Sequence, residues 1–239
     1  MHLKRVTIHT KRYPNKKHYP FNLDILSGTD CIQFNAPVTC FVGENGTGKS
    51  TLLKALCRKC GIYIWEGPER TRVDNNPFED SFHGAISIDW VKDPVPGCFF
   101  SSQLFKHFSQ LVDEWASADP GLLDYFGGKS LLTQSHGQSL MSFFHARFQI
   151  RGIYFLDEPE TALSPKSQIQ LLQLLWDTSL AGHAQFIIAT HSPILMSVPG
   201  ANILSFDEIP IAPVDYKDTS HYKIYKAFME DPEKFLTEK

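Results

Sequence analysis

The chain lacks any apolar run of the roughly 20 residues a membrane-spanning helix needs. It also lacks a charged-then-apolar leader. Neither membrane insertion nor export is expected, and a cytoplasmic location is. Cysteine is sparse and odd in number, five in 239 residues. A chain of this size needs no disulfide staples, so the thiols suit a reducing compartment. Cys57 and Cys60 form one C-x-x-C, but no second pair lies at metal-ligand spacing. They read as small buried thiols on one helix, with zinc or redox chemistry the lesser reading. Strong net charge is missing too. The balance is -3, which gives no bulk reason to invoke nucleic acid or an anionic membrane. Locally the picture differs: the first twenty residues hold Lys4, Arg5, Lys11, Arg12, Lys16 and Lys17, and no acid. That segment is either a solvated edge strand and loop or a contact for phosphate or nucleic acid. Internal repeats and low-complexity tracts are absent.

What is present points to one α/β domain across residues 1–239. Hydrophobic residues make up 42%, enough for a sizeable core. "KRVTIHT" alternates like a strand, and "CIQFNAPVTCFVG" reads as two short strands broken at Pro37. "STLLKALCRKCG" predicts a helix ending at Gly61. Residues 67–80 are polar and rich in turn formers, hence an exposed loop. "GAISIDWV" is a further strand. Residues 99–150 read as a mainly helical lobe. "GIYFLDE", "AQFIIATHS" and "ANILSF" are buried strands. Between the first two, "SPKSQIQLLQLLWDTSL" is a helix with Ser164 as N-cap and Pro165 first in the helix. The last twenty or so residues predict a closing amphipathic helix. Strands alternating with helices imply a largely parallel sheet covered on both faces.

Three motifs carry chemistry. "GENGTGKS" comprises Gly43, Glu44, Asn45, Gly46, Thr47, Gly48, Lys49 and Ser50, with Thr51 following; it matches G-x-x-x-x-G-K-[ST] between a strand and a helix. Its glycines let backbone N–H groups wrap a phosphate chain, and the helix N-terminus adds partial positive charge. Lys49 is expected on the β- and γ-phosphates and the Ser50 hydroxyl on Mg²⁺. "IYFLDEPE" ends a strand on Asp157, expected to hold the Mg²⁺. Glu158 beside it is expected to orient and polarise an attacking water. "IIATHSP" puts Thr190 and His191 at the end of the next buried strand, where His191 can bond a γ-phosphate oxygen.

"LLTQSHGQSLMSFF" places Ser135, His136, Gly137 and Gln138 ahead of a helical run. Ser135 and Gln138 have the S-x-x-Q spacing of a capping box, and a well-capped helix start is also an anion site. A Ser/His hydrolase is not implied, because adjacency in sequence is not a catalytic arrangement.

Together these motifs resemble the ABC-type ATPases. With "VTCFVGENGTGKSTLL", "SHGQSLMSFF", "YFLDEPETALSPKSQ" and "QFIIATHSPILMSVPGANIL", the chain is similar to small stand-alone bacterial ATPases of that type. These are relatives of SMC and recombination-repair ATPase heads without the coiled coil. The resemblance implies a P-loop fold with N-terminal β elements and an inserted helical lobe, and it implies ATP and Mg²⁺ as ligands. It implies that Ser135, Gly137 and Gln138 grip the γ-phosphate held by a second copy, with His136 in place of the usual signature glycine. It makes "PETALSP" the loop linking two sites across a dimer, with Ser164 where transporter cassettes usually carry an Asp. Gln103 in "CFFSSQLF" is either a sensor of Mg²⁺ and water or a surface helix residue. Arg12, Tyr13 and Tyr19 are candidates to contact adenine.

The expected activity is Mg²⁺-dependent ATP hydrolysis that closes and opens a homodimer, in DNA repair or phage defence with a nucleic-acid, nuclease or effector partner. The alternative is the ATP-binding motor of an ABC transporter, which needs a membrane partner near Gln103 and the lobe. A GTP-using switch is disfavoured, since no N-K-x-D guanine-reading motif is present.

Overall fold

The computed structural model describes residues 1–65, 76–126, 128–133 and 136–236. Three strands, β3 (Val38–Val42), β6 (Gly152–Asp157) and β7 (Ala184–Ala189), have every residue buried. Such runs need cover on both faces of their sheet. They form its middle, with β5 (Gly97–Ser101), β8 (Asn202–Ser205) and β9 (Ala212–Pro213) completing the order β5-β6-β7-β3-β8-β9. All pairings are parallel except β8–β9.

The period of two sorts the side chains between two cores. Phe41, Ile153, Phe155, Ile187 and Ala189 face one; Cys40, Val42, Tyr154, Leu156, Phe186 and Ile188 face the other. The first core is covered by α2 (Lys49–Lys59) and by an antiparallel sheet of β1 (Leu3–Ile8), β2 (Cys31–Gln33) and β4 (Ile86–Trp90) in the order β2-β1-β4. A single turn, α1 (Asp24–Ser27), adds Ile25 and Leu26. Leu52, Leu53 and Leu56 of α2 are fully buried, each worth about 1.5–3 kcal/mol relative to exposure. The second core takes α3 (Ser102–Ala118), α4 (His136–Arg147), α5 (Pro165–Leu180) and α6 (Pro193–Met196). It is rich in Phe, and Phe100, Phe105, Phe143 and Phe144 meet with ring centroids 4.8–6.1 Å apart.

A buried amide joins the two sheets. Gln185 Oε1 accepts from the backbone N–H groups of His2 and Leu3 at 2.6 and 2.7 Å, and its Nε2 donates to the Leu3 carbonyl at 3.0 Å. An apolar side chain there would strand all three backbone groups in a dry core.

Several expectations hold. Pro37 separates β2 from β3. Gly61 follows α2 at φ +73°. Ser164 caps α5, its Oγ accepting from the Ser167 N–H at 3.3 Å. Cys57 is buried and Cys60 partly so, and burial pushes the Cys60 thiol up to about 12.

Others need correction. The lobe read as helical from residue 99 begins at Ser102, because residues 97–101 are β5, paired with β6. The terminal helix α7 (Ser220–Glu230) does not close the core: it has no buried residue, and Ile224, Tyr225, Phe228 and Met229 are exposed. Much of the loop read at 67–80 lies outside the described residues. No helix among the described residues is long and apolar enough to cross a membrane.

A candidate nucleotide site

Parallel sheets gather ligand chemistry at the carboxyl ends of their strands. Here β3 ends at Val42, β6 at Asp157 and β7 at Ala189, side by side. The loop from Gly43 to Gly48 leads from β3 into α2. Gly43 has φ +138°, and a Cβ there would lie 2.8 Å from Asp207 Oδ1. Gly48 sits at the N-terminus of α2 with φ +98°, a region that costs other residues about 1–2 kcal/mol. Glu44, Asn45 and Gly46 form the exposed tip. Thr47 Oγ1 donates to the Glu44 carbonyl at 2.9 Å.

Lys49 is 5% exposed, and its Nζ donates to the carbonyls of Gly43 and Glu44 at 2.7 and 2.6 Å. Burial lowers its pKa, while the carboxylates of Glu158, Asp207, Asp157 and Glu44 oppose the shift. A buried ammonium tied to the loop is positioned for an anion lying in that loop.

Ser50 Oγ donates to Asp157 Oδ1 at 2.7 Å. Asp157 is buried, and its pKa is raised chiefly by desolvation, against the bond from Ser50. A desolvated carboxylate beside a hydroxyl is a pair of hard oxygen donors that suits Mg²⁺. Gln103 is exposed in the first turn of α3, two residues past the Ser101 that pairs with Asp157. It lies at the correct end of the sheet but is not among the groups that touch the Ser50–Asp157 pair.

Glu158 has φ +47° and ψ +54°, the sole non-glycine at positive φ among the described residues. Its N–H donates to the Ala189 carbonyl at 2.9 Å. The turn into Pro159 throws the side chain off the end of the strand, toward the loop. His191 Nε2 lies 3.7 Å from Glu158 Oε1. The His191 pKa is lowered, first by burial and then by Lys49 and His221, which keeps the ring neutral near pH 7.

Four contributors escape sequence reading. Glu160 Oε1 accepts from the His191 N–H at 2.6 Å and fixes its backbone. Gln168 of α5 accepts from Ser192 Oγ at 2.6 Å and donates to the Leu163 carbonyl at 3.1 Å, joining the turn after Glu158 to the segment after His191. Asp207 Oδ1 accepts from the Glu44 N–H at 2.9 Å. His221 of α7 places Nε2 at 2.8 Å from His191 Nδ1. Distance in sequence hid them: the bonds of Glu160, Gln168, Asp207 and His221 to His191, Ser192, Glu44 and His191 span 31, 24, 163 and 30 residues.

Of the adenine candidates, Tyr13 is withdrawn. Its ring packs on Phe21 and Phe82 at 4.8 and 5.8 Å, and burial pushes its hydroxyl up to about 12. Tyr19 is 40% exposed and its hydroxyl meets Thr51 Oγ1 at 2.7 Å, beside the loop helix. Arg12 is exposed.

The Ser/Gly/Gln stretch leads into α4, which starts at His136. Ser135 lies outside the described residues. A Cβ on Gly137 would lie 3.8 Å from Ser167 Oγ and 4.0 Å from the Ala162 carbonyl, so the helix start sits against the turn after Glu158. Gly137 and Gln138 line an open groove of about 790 Å³ with Lys129, His145 and Ser167. This groove opens on the α4–α5 side. The loop helix α2 packs in the first core and α4 in the second, with the sheet between them. Gly137 thus meets the turn after Glu158 from the second core, whereas the Lys49 loop leads into the first.

Known proteins agree with this geometry. Residues 131–197 match a family described as "AAA domain, putative AbiEii toxin, Type IV TA system", and residues 21–88 match a second AAA domain family. Both matched families are AAA domains, and their segments hold the Gly43–Ser50 loop and the Asp157–Glu158 and His191 positions. The chain is 26% identical to the thiamine import ATP-binding protein ThiQ of Ruegeria sp. (strain TM1040), over 72% of this chain and 80% of that protein. The SMC head domain from Thermotoga maritima superposes with a TM-score of 0.50 at 18% identity, over 90% of this chain and all of that one. CbiO1 from Clostridium perfringens, part of the ABC transporter complex cbiONQ, superposes at 0.51 and 18% identity, over 95% and 96%. The chain thus has the head fold seen in these SMC and ABC transporter structures.

Proposed function

We propose that the protein binds ATP with Mg²⁺ and hydrolyses it at a site completed by a second copy of the chain, in a single domain spanning residues 1–239. The observation that carries this reading is the placement of two anion-seeking helix starts on opposite faces of one sheet. In this reading a nucleotide on Lys49 is met by the Gly137–Gln138 helix start of a two-fold partner.

In this reading the loop N–H groups and Lys49 hold the β- and γ-phosphates. Ser50 and Asp157 would hold Mg²⁺, with Gln103 as a further candidate, and the ion would supply neutralisation of charge on the phosphate oxygens. The Glu158 carboxylate accepts a hydrogen bond from water and aligns it with the γ-phosphorus. His191 donates from Nε2 to a γ-phosphate oxygen. Ser135, Gly137 and Gln138 of the partner subunit close over the same group. Loss of phosphate removes the shared ligand, and the pair opens. ATP stabilises the dimer by mass action.

Two uses of that motion have support. Lys11, Arg12, Lys16 and Lys17 are all exposed on one short segment, which favours a nucleic-acid partner. Reversing those four charges should lower DNA affinity and flatten its salt dependence; equal affinity and slope would remove DNA. The likeness to ThiQ favours the transporter reading, in which a membrane partner sits against the lobe. The ATPase reading itself is tested by ATP turnover in wild type and Glu158→Gln. Turnover by wild type and its loss in the variant is expected; equal rates would reassign the carboxylate.

A further inference from the structure

The pairing of His191 with His221 is the most informative feature that no motif accounts for. His191 Nδ1 and His221 Nε2 are 2.8 Å apart, so one must donate and the other accept. The other nitrogen of His191, Nε2, is buried without a hydrogen-bond partner and faces Glu158 Oε1 at 3.7 Å. A bare lone pair aimed at a carboxylate is repelled by it, whereas an N–H is attracted. Nε2 of His191 therefore carries the proton, Nδ1 is bare, and His221 Nε2–H is the donor. His221 Nδ1 then accepts, and Ser220 Oγ lies 3.4 Å from it. The competing bond of that hydroxyl, to Asp207 Oδ2, is 3.5 Å.

We infer that His221 is a positioning residue: its Nε2–H bond to Nδ1 holds His191 as an Nε2 donor aimed at the γ-phosphate position, so that α7 is part of the nucleotide site. The groups facing this pair are Glu158, Glu44, Asp207 and Lys49; burial lowers both pKa values, Lys49 adds to this for both rings, and His221 adds to it for His191. A neutral pair has one proton between the two facing nitrogens, so the direction of the bond is the whole content of the device. The helix is held to the site at this end. Ser220 and His221 are half-buried, while most residues from Lys223 onward are exposed. Any displacement of α7 would release the His191 ring. The γ-phosphate target rests on the ATPase reading; the direction of the hydrogen bond does not.

The test has two arms. ¹⁵N imidazole spectra of the full chain, assigned with single His variants, should show both rings as Nε2–H tautomers. A proton on His191 Nδ1 would mean the bond runs the other way and would overturn the inference, whether or not the protein hydrolyses ATP. In the second arm, His221→Met removes the donor while keeping bulk, and His221→Gln returns an N–H near the same place. Turnover should fall about tenfold in the Met variant with KM changed less than about twofold, and recover to within about threefold in the Gln variant. Full activity in His221→Met, or equal losses in the two variants, would overturn the positioning role. Wild type without turnover would count against the ATPase reading and leave the tautomer result standing.

Discussion

Glu158 concentrates the conflict between folding and chemistry in one residue. It occupies left-handed backbone at φ +47° without being Asn or Gly. That conformation costs about 1 kcal/mol or more relative to glycine. Strain of this kind persists where the surroundings hold it, and here the Ala189 carbonyl and Pro159 do so. Glu158→Gly should therefore raise the melting temperature by about 2–4 °C while abolishing turnover. A lower melting temperature would mean that the carboxylate's own contacts outweigh the backbone strain. Lys49 is the opposite case, a buried cation whose ammonium bonds the carbonyls of Gly43 and Glu44. Lys49→Ala should weaken ATP binding on the order of a hundredfold, read by calorimetry, with little loss of stability. Unchanged affinity would displace the phosphate from the loop.

Among elements, the buried strands were the most legible, because their apolar length and carboxyl-end acids leave few alternatives. The phosphate loop was equally plain, its glycines being demanded by backbone angles. Strand β5 was missed because "GCFFS" is too short and too apolar to distinguish from the start of a helix. The role of α7 was misjudged for a related reason. Its amphipathic pattern predicts a buried face, yet the contact that matters is His221, near its first turn, reaching a motif 30 residues away in sequence. Gln185 was invisible for the same cause: within "AQFIIATHS" it reads as a lone polar residue, and only the neighbouring sheet shows why an amide is needed. Gln185→Leu should cost about 2–4 kcal/mol in urea unfolding, since it leaves two N–H groups and a carbonyl of β1 and its preceding residue unpaired. A loss below about 1 kcal/mol would mean that the two sheets are joined by apolar packing alone.

At the scale of the whole molecule, the sheet stands between α2 and α4, and the proposed two-copy site uses both faces. Ser135→Arg should leave the ATP affinity of one chain nearly unchanged and prevent closure of two. An ATP-dependent dimer that survived this change would remove the Ser/Gly/Gln stretch from the interface. The most direct test is the solution mass of Glu158→Gln by light scattering, with and without Mg²⁺-ATP. A mass that doubles only with the nucleotide is the predicted result, because binding persists while hydrolysis does not. A mass that remains monomeric at saturating ATP would contradict a site shared between two copies of the chain.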